Sequence, residues 1–462
     1  MNRTGIFLAA AGVLALAAVI AGLPRTHLIS SPLTVPLGNP AVASDGALKM
    51  SARLSHPYVN LGTSDEFVTV EVSGVTLANS TRAPVNLALV IDRSGSMSGY
   101  KLDQAKQAAR QLVSQLTQDD RLAIVHFGSD VKSMDGLMAT EDNKRRMLSF
   151  IDGIWDDGGT NIGSGLTTGR DLLMVASGFK VNRLILISDG QPTEGVTDAE
   201  SLKSVARQIR ANNVSLSSIG VGSDFNEDLM QAFAEIGAGS YGYLADASQL
   251  ATVFSRDLAQ AGTQVARNVT LTFELPNGVR LGEVLGYSST QVGSTVRVTL
   301  PDFSSGQLER IVARVVVNGA RSGDSIDVSG LKLDYTDLLK NGFVESTASV
   351  SAMVTDKAEV VLQNRDKDAV VFAARARSAW NTENAARALE EGDEDKANKL
   401  LQQNAFFFEE AAQVAGQQAV QQDIVDQAEL KREFTKPADA PAAAKAAKRK
   451  ARIDYGLSAH TY

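Results

Sequence analysis

The sequence predicts an α/β protein in which a doubly wound domain is inserted in, or flanked by, a β-sandwich and followed by a C-terminal helical segment. Three observations carry this expectation. Between residues 84 and 262, short apolar runs alternate with amphipathic stretches of helical length, the pattern of buried parallel strands and their crossover helices. On both sides of that region the apolar residues alternate with polar ones and are punctuated by turn residues, as in antiparallel strands. From residue 357 onward the composition shifts to Ala, Gln, Glu, Lys and Arg, which favour helix.

Taken in order, residues 1–24 read as a signal peptide or an N-terminal membrane anchor. Arg3 supplies a positive start, and Thr4 to Pro24 carries no charge and is dominated by Ala, Leu, Val, Ile and Gly. Val19-Ile20-Ala21 would serve as a cleavage site, while the run 4–24 is also long enough to span a bilayer. Export to the periplasm or cell surface is expected, with inner-membrane anchoring as the alternative to cleavage. Residues 25–46, rich in Pro, Ser and Gly, read as a linker. Residues 47–83 hold the N-terminal strands of the sandwich, with Phe67-Val68-Thr69-Val70-Glu71-Val72 the clearest alternation.

Within 84–262 the candidate buried strands are Leu87 to Ile91, Leu122 to Phe127, Leu184 to Ile187 and Val214 to Val221, with an edge candidate at Tyr241 to Leu244. Leu102, Ala105, Ala109, Leu112, Val113 and Leu116 recur at spacings of three and four, so the helix between the first two strands lays one face on the sheet. Residues 263–355 return to strands, at Val269 to Phe273, Val296 to Leu300, Ile311 to Val317 and Ser346 to Met353. The N-terminal strands are expected to pair with these, because an isolated hairpin is marginal in water.

Residues 357–434 should form a helical hairpin or bundle, broken at Gly392-Asp393 and offering a surface for oligomerisation. Three consecutive aromatics, Phe406-Phe407-Phe408, cannot share one helical stripe. Packing within the chain is expected, with at least one ring turned toward the sandwich, a neighbouring subunit or lipid. Residues 435–462 read as a disordered basic tail rich in Ala, Pro and Lys.

Composition narrows the function. A 462-residue chain that is 44% hydrophobic buries a sizeable core, and a net charge of -8 gives no global attraction to nucleic acid or anionic lipid. No nucleic-acid partner is expected. With no Cys there is no disulfide, thiolate metal site or Cys nucleophile.

The chemistry gathers at the strand ends. Asp92 closes the first buried strand and is followed by Arg93-Ser94-Gly95-Ser96-Met97; a second loop offers Gly158-Gly159-Thr160-Asn161, and a third begins Ser188-Asp189-Gly190. Open α/β sheets place ligands at this edge. A hard divalent ion such as Mg²⁺ takes oxygen ligands and keeps several waters, and a mixture of neutral hydroxyls and carboxylates suits it. If hydroxyls bind the ion while carboxylates hold its waters, it keeps enough positive charge to draw an anionic ligand.

Together, Asp92-x-Ser94-Gly95-Ser96-Met97, Gly159-Thr160-Asn161 and Ser188-Asp189-Gly190 resemble the three motif loops of the von Willebrand factor A family, across about residues 84–262. The resemblance implies a Rossmann-like fold with a metal-ion-dependent adhesion site. Ser94, Ser96 and Thr160 would then be direct ligands, with Asp92 and Asp189 acting mainly through water. An open position near Ser94, Thr160 and Asp189 would accept an Asp or Glu carboxylate of a protein partner. Mg²⁺ is the expected ion, with Ca²⁺ or Mn²⁺ as alternatives. The wider layout is similar to that of bacterial proteins related to the inter-alpha-trypsin inhibitor heavy chains and to calcium-activated chloride channel homologues, and it does not imply conduction.

An enzyme is not expected. His27, His56, His126 and His460 are scattered away from the motif loops in sequence, and no phosphate-cradling Gly-rich loop with a Lys occurs. Metal-assisted hydrolysis is the weaker alternative. A structural subunit of an envelope complex, its metal site serving stability, is the closer one.

Overall fold

The computed structural model describes residues 41–44, 46–77, 83–222, 225–244 and 258–435, together with 444, 447, 448, 460 and 461. The expected signal or anchor segment lies outside the described residues. The chain enters through β1 (Ala41–Ala43), β2 (Leu48–Leu54), β3 (Tyr58–Asn60) and β4 (Gly62–Gly74). The α/β body follows, as β5 (Val85–Asp92), α1 (Tyr100–Gln115), β6 (Arg121–Phe127), β7 (Val131–Met138), α2 (Glu141–Asp152), α3 (Ile162–Met174), β8 (Val181–Ser188), α4 (Ala199–Ala211), β9 (Val214–Val221), α5 (Glu227–Gly237) and β10 (Ala238–Leu244).

The body is built on one six-stranded sheet of order β10-β9-β8-β5-β6-β7, parallel except for β7 at its edge, which is antiparallel to β6. Every residue of β5 is buried, the consequence of a strand covered on both faces. Its odd-numbered apolar residues, Leu87, Leu89 and Ile91, pack with Leu102, Ala105, Leu112 and Val113 of α1. Ala88 and Val90 face the other way, into a cluster with Ile162 and Leu166 of α3 and Phe233 of α5. Fully burying each large aliphatic side chain contributes about 1.5–3 kcal/mol. The glycines of α3 serve close approach: a Cβ at Gly165 would lie 2.5 Å from Cδ1 of Phe127, and one at Gly169 would lie 2.7 Å from Cγ2 of Val90.

After the body come β11 (Gln264–Glu274), β12 (Val279–Leu285), β13 (Ser289–Val292), β14 (Thr295–Thr299), β15 (Phe303–Ser304), β16 (Leu308–Gly319), β17 (Ser325–Asp337) and β18 (Gly342–Thr355). They join the N-terminal strands in two further sheets, ordered β1-β2-β4-β16-β12 and β13-β14-β11-β17-β18-β3. The longest bond between the two chain segments is β4 against β16, paired antiparallel from Gly62↔Gly319 to Ser73↔Leu308. Val68, Val70, Val72, Ile311 and Val315 of the first sheet share one apolar cluster with Leu271, Phe273, Val296, Leu331 and Leu333 of the second. The strands before and after the body therefore enclose a common core.

Four helices complete the described fold: α6 (Ala358–Gln363), α7 (Lys367–Glu390), α8 (Glu394–Ala415) and α9 (Gln421–Thr435). Asp393 caps α8 by accepting from the Lys396 amide, and Gly392 beside it takes the left-handed turn at φ 80°. The segment packs on the outer face of the first sheet, where Ala373 and Ala376 meet Phe67, Leu285 and Val312. Of the phenylalanine triplet, Phe407 and Phe408 are buried with Val370, Val371 and Ala374, while Phe406 stands 64% exposed. Among the described residues no helix is long and apolar enough to cross a membrane.

Two expectations are corrected. Ala41–Ala43, assigned to the linker, is a strand paired with β2, too short to leave a period in the sequence. The tail is not disordered throughout: Ala444 and Ala447 are buried with Leu389, Leu401 and Phe434, and Lys448 pairs with Glu390 at 2.8 Å. His460–Thr461 adds a two-residue strand, β19, beside Leu308 and Glu309. Alanines among lysines read as low complexity, yet small side chains are what a tight helical contact buries. The remaining tail residues lie outside the described set.

Candidate metal centre

Strand order explains where the loops meet. The chain leaves β5 toward β6 on one side and returns through β8 on the other, so the crevice at the carboxyl end of β5 lies at a topological switch point. Asp92 is the last residue of β5, Ser94 and Ser96 lie on the turn before α1, Thr160 precedes the cap of α3, and Asp189 directly follows β8. Asn161 caps α3 by accepting from the Ser164 amide, which fixes the chain direction at Thr160.

Backbone and side-chain bonds tie the three loops together. The Gly95 amide donates to the Gly158 carbonyl at 3.1 Å, joining the first loop to the second. Ser188 Oγ donates to Asp92 Oδ2 at 2.5 Å and accepts from the Gly190 amide at 2.8 Å, joining the first to the third. Asp92 Oδ1 accepts from the Ser94 amide at 2.8 Å, and the Ser94 and Ser96 hydroxyls lie 3.0 Å apart. Asp92, Ser94, Thr160 and Asp189 are buried, and Ser96 is exposed.

Two acidic side chains are buried at this edge, Asp92 and Asp189. Burial pushes the Asp92 carboxyl up to about 6, against the hydrogen bonds from Ser188 and Ser94. Asp189 Oδ1 is buried with no hydrogen-bond partner in the protein, while its Oδ2 lies 3.4 Å from the Lys101 ammonium. Among the described residues no cluster of three or more His, Cys, Asp or Glu could hold a metal. An ion here would therefore rely on hydroxyls beside two carboxylates, a donor set that fits a hard, water-retaining divalent cation.

Sequence reasoning missed several supporting residues. Lys101 and Ser188 act directly on the two aspartates. Further out, the Thr160 amide donates to Thr193 Oγ1 at 2.8 Å, and Ser129 Oγ donates to Glu194 at 2.6 Å while accepting from the Gly159 amide. A Cβ at Gly159 would lie 2.4 Å from the Glu194 carboxylate, so a side chain there would displace Glu194 from Ser129. None of these pairings leaves a local spacing signal. His126 faces the α1 side of the sheet; burial first, then the charges of Arg93 and Lys132, lowers it to about 4.

Residues 86–256 match the family model for the von Willebrand factor type A domain. The chain is 30% identical over 256 residues to the uncharacterized protein YfbK of Escherichia coli, covering 52% of this chain and 43% of that protein. It is 31% identical over 202 residues to mouse inter-alpha-trypsin inhibitor heavy chain H2, covering 41% of this chain and 21% of that protein. The matched stretch thus spans less than half of either relative. A solved structure, von Willebrand factor type A from Catenulispora acidiphila, superposes with a TM-score of 0.66 at 16% identity, covering 93% of this chain and 99% of that one. At that identity the likeness concerns the fold, and it extends beyond the α/β body. The chain accordingly carries a von Willebrand factor type A domain across residues 86–256.

Proposed function

We propose that this domain captures a protein partner through a divalent ion, Mg²⁺ with Ca²⁺ or Mn²⁺ as alternatives, in an adhesion or envelope-assembly role outside the cytoplasm. The observation that carries the reading is the unpartnered, buried Asp189 Oδ1 beside the fully buried Asp92 carboxylate and the Ser94–Ser96 hydroxyl pair. Lys101 reaches Asp189 Oδ2, and a divalent ion would offset the remaining cost of burying both acidic side chains. Ser94, Ser96 and Thr160 would hold the ion directly, and Asp92 and Asp189 would orient its waters. When bound, the ion supplies a positive coordination position for an Asp or Glu carboxylate of the partner.

The reading is non-catalytic. The Ser94 and Ser96 hydroxyls lie 3.0 Å apart, and the Asp92 carboxyl beside Ser94 is committed to the Ser188 hydroxyl and the Ser94 amide, where it ties the loops together. Exported placement rests on the uncharged run 4–24. A second contact on the helical segment, where Phe406 stands exposed, would serve assembly with a neighbouring subunit.

Calorimetry with Mg²⁺ on the wild type, Ser96→Ala and Asp92→Ala tests the centre. Binding to the wild type that weakens about tenfold or more in both variants is the expected outcome. Equal affinities in all three proteins would refute the ligand set. A pull-down in Mg²⁺ or EDTA then reports whether partner capture follows the ion.

A further inference from the structure

We propose that the cavity beside the metal loops is a second contact for the same protein partner, receiving an acidic side chain close in sequence to the carboxylate at the ion. This inference rests on the function proposed above. The cavity has a volume of 640 Å³, and its walls include Arg93, His126, Lys132, Arg146, Phe150 and Trp155. Arg93 stands between Asp92 and Ser94, one Cα step of about 3.8 Å from each. Asp157, in the same wall, precedes Gly158, whose carbonyl accepts from the Gly95 amide of the first motif loop, so the cavity and the ion position adjoin and one partner loop can serve both.

The walls are built for a polar guest. Arg93 is 3% exposed and His126 6% exposed, yet Arg93 Nε and His126 Nδ1 have no hydrogen-bond partner in the protein. Native proteins rarely leave buried polar atoms unpaired, and both residues belong to a wall in which Lys132 and Arg146 stand exposed to a guest. The His126 ring packs on Phe150 with centroids 5.4 Å apart, which holds its edge in place.

Charge selects the guest. The Arg93 guanidinium is held by Asp130 and lies 3.6 Å from an Asp157 carboxylate oxygen, and Lys132 is 3.8 Å from Asp130. Arg146, exposed on α2, reaches the neutral Asn143 Oδ1 at 3.3 Å. Three cations thus stand against two carboxylates, leaving a positive excess that a partner carboxylate complements. At the rim Trp155 is 75% exposed, a large aromatic surface of the kind that anchors protein interfaces.

The test uses the full chain carrying Trp380→Phe, which leaves Trp155 as its one tryptophan. The probes are short Gly/Ser peptides bearing one Asp, two Asp, or one Asp and one Phe, titrated in Mg²⁺ and in EDTA by calorimetry and Trp155 emission. In Mg²⁺ the two-Asp peptide should bind about five- to tenfold more tightly than the one-Asp peptide, and it should shift Trp155 emission. Arg146→Gln should abolish that advantage while leaving one-Asp and Mg²⁺ affinities unchanged. Equal affinities, an advantage that survives Arg146→Gln, or a silent Trp155 would each overturn the inference. So would a Phe-bearing peptide that binds as tightly as the two-Asp one, since the guest would then be apolar. If EDTA and Asp92→Ala leave one-Asp binding intact, the metal reading fails. The cavity inference then stands only if the two-Asp peptide still shifts Trp155 and still requires Arg146.

Discussion

Replacing Ser188 by alanine probes the centre where its charge is most deeply buried. Ser188 Oγ is shared between Asp92 Oδ2 and the Gly190 amide, so one hydroxyl couples the carboxylate of the first loop to the backbone of the third. Asp92 is fully buried, and its other oxygen is held by the Ser94 amide. A hydrogen bond to a charged group contributes about 1.5–3 kcal/mol, and stranding the buried Gly190 N–H costs about 1–3 kcal/mol. Part of this is relieved because Asp92, already raised to about 6, can take up a proton when it loses a donor. Ser188→Ala should therefore destabilise the metal-free protein by roughly 2–4 kcal/mol in urea titrations at neutral pH. Mg²⁺ affinity by calorimetry should fall about tenfold or more, because both aspartates lose their orientation. Stability within about 0.5 kcal/mol of wild type together with unchanged Mg²⁺ affinity would show that this contact positions neither loop.

Two further outcomes follow from the electrostatics. Because burial raises Asp92 from 3.8 to about 6, the fold gains stability from the protonated form, fully below about pH 3.8 and lost as pH rises through 6, about 3 kcal/mol in all. Mg²⁺ needs the carboxylate, so the increase in Tm at saturating Mg²⁺ should grow as pH rises through about 6, and a shift independent of pH would reject this account. At the joint between the α/β body and the flanking sheets, Asp302 accepts from Arg210 at 2.6 and 3.0 Å, from Ser215 at 2.6 Å and from the Asn268 amide at 3.2 Å. Burial alone would raise its carboxyl, but Arg210 holds it below the usual range. Asp302→Ala should cost about 3–5 kcal/mol in chemical denaturation by stranding Arg210, and a loss under about 1 kcal/mol would refute that role.

What was legible in the sequence was what is local. Continuous apolar runs mark β5, β6 and β8 because strands covered on both faces have no polar alternation to confuse, whereas β9 buries Ser215, Ser217 and Ser218 among its apolar residues. The motif loops were legible for the same reason, each being a few residues long with glycines beside the functional oxygens. Contacts across the chain were not: Ser188 meets Asp92 96 residues away, Lys101 meets Asp189 at 88, and Ser129 meets Glu194 at 65. The edge strand β7 has no regular alternation of buried and exposed residues, and it owes its conformation to pairing with β6. In β17 the alternation breaks where the register shifts between Asp327 and Ser329, so Ile326 and Val328 fall out of phase with Leu331, Leu333 and Tyr335.

The way the body joins its base decides how the centre is presented. The chain enters the body at Ala83 and leaves it at Gly262, and the Ala83 amide donates to the Gly262 carbonyl at 2.7 Å, so entry and exit share one narrow neck. Val85, just past that neck, opens β5, and Asp92 closes it. A strand of that length rises about 23 Å. The metal loops therefore lie at the end of the body remote from the neck, where Arg93 and Trp155 open onto the same surface. The Asp302–Arg210 pair works at the other end, between the body and β15. With two backbone crossings and a buried ion pair at the base, the body is held by the flanking sheets without covering its ligand edge. A partner can thus approach the ion position and the neighbouring cavity along one face, and stability lost at the neck should be measurable apart from affinity lost at the loops.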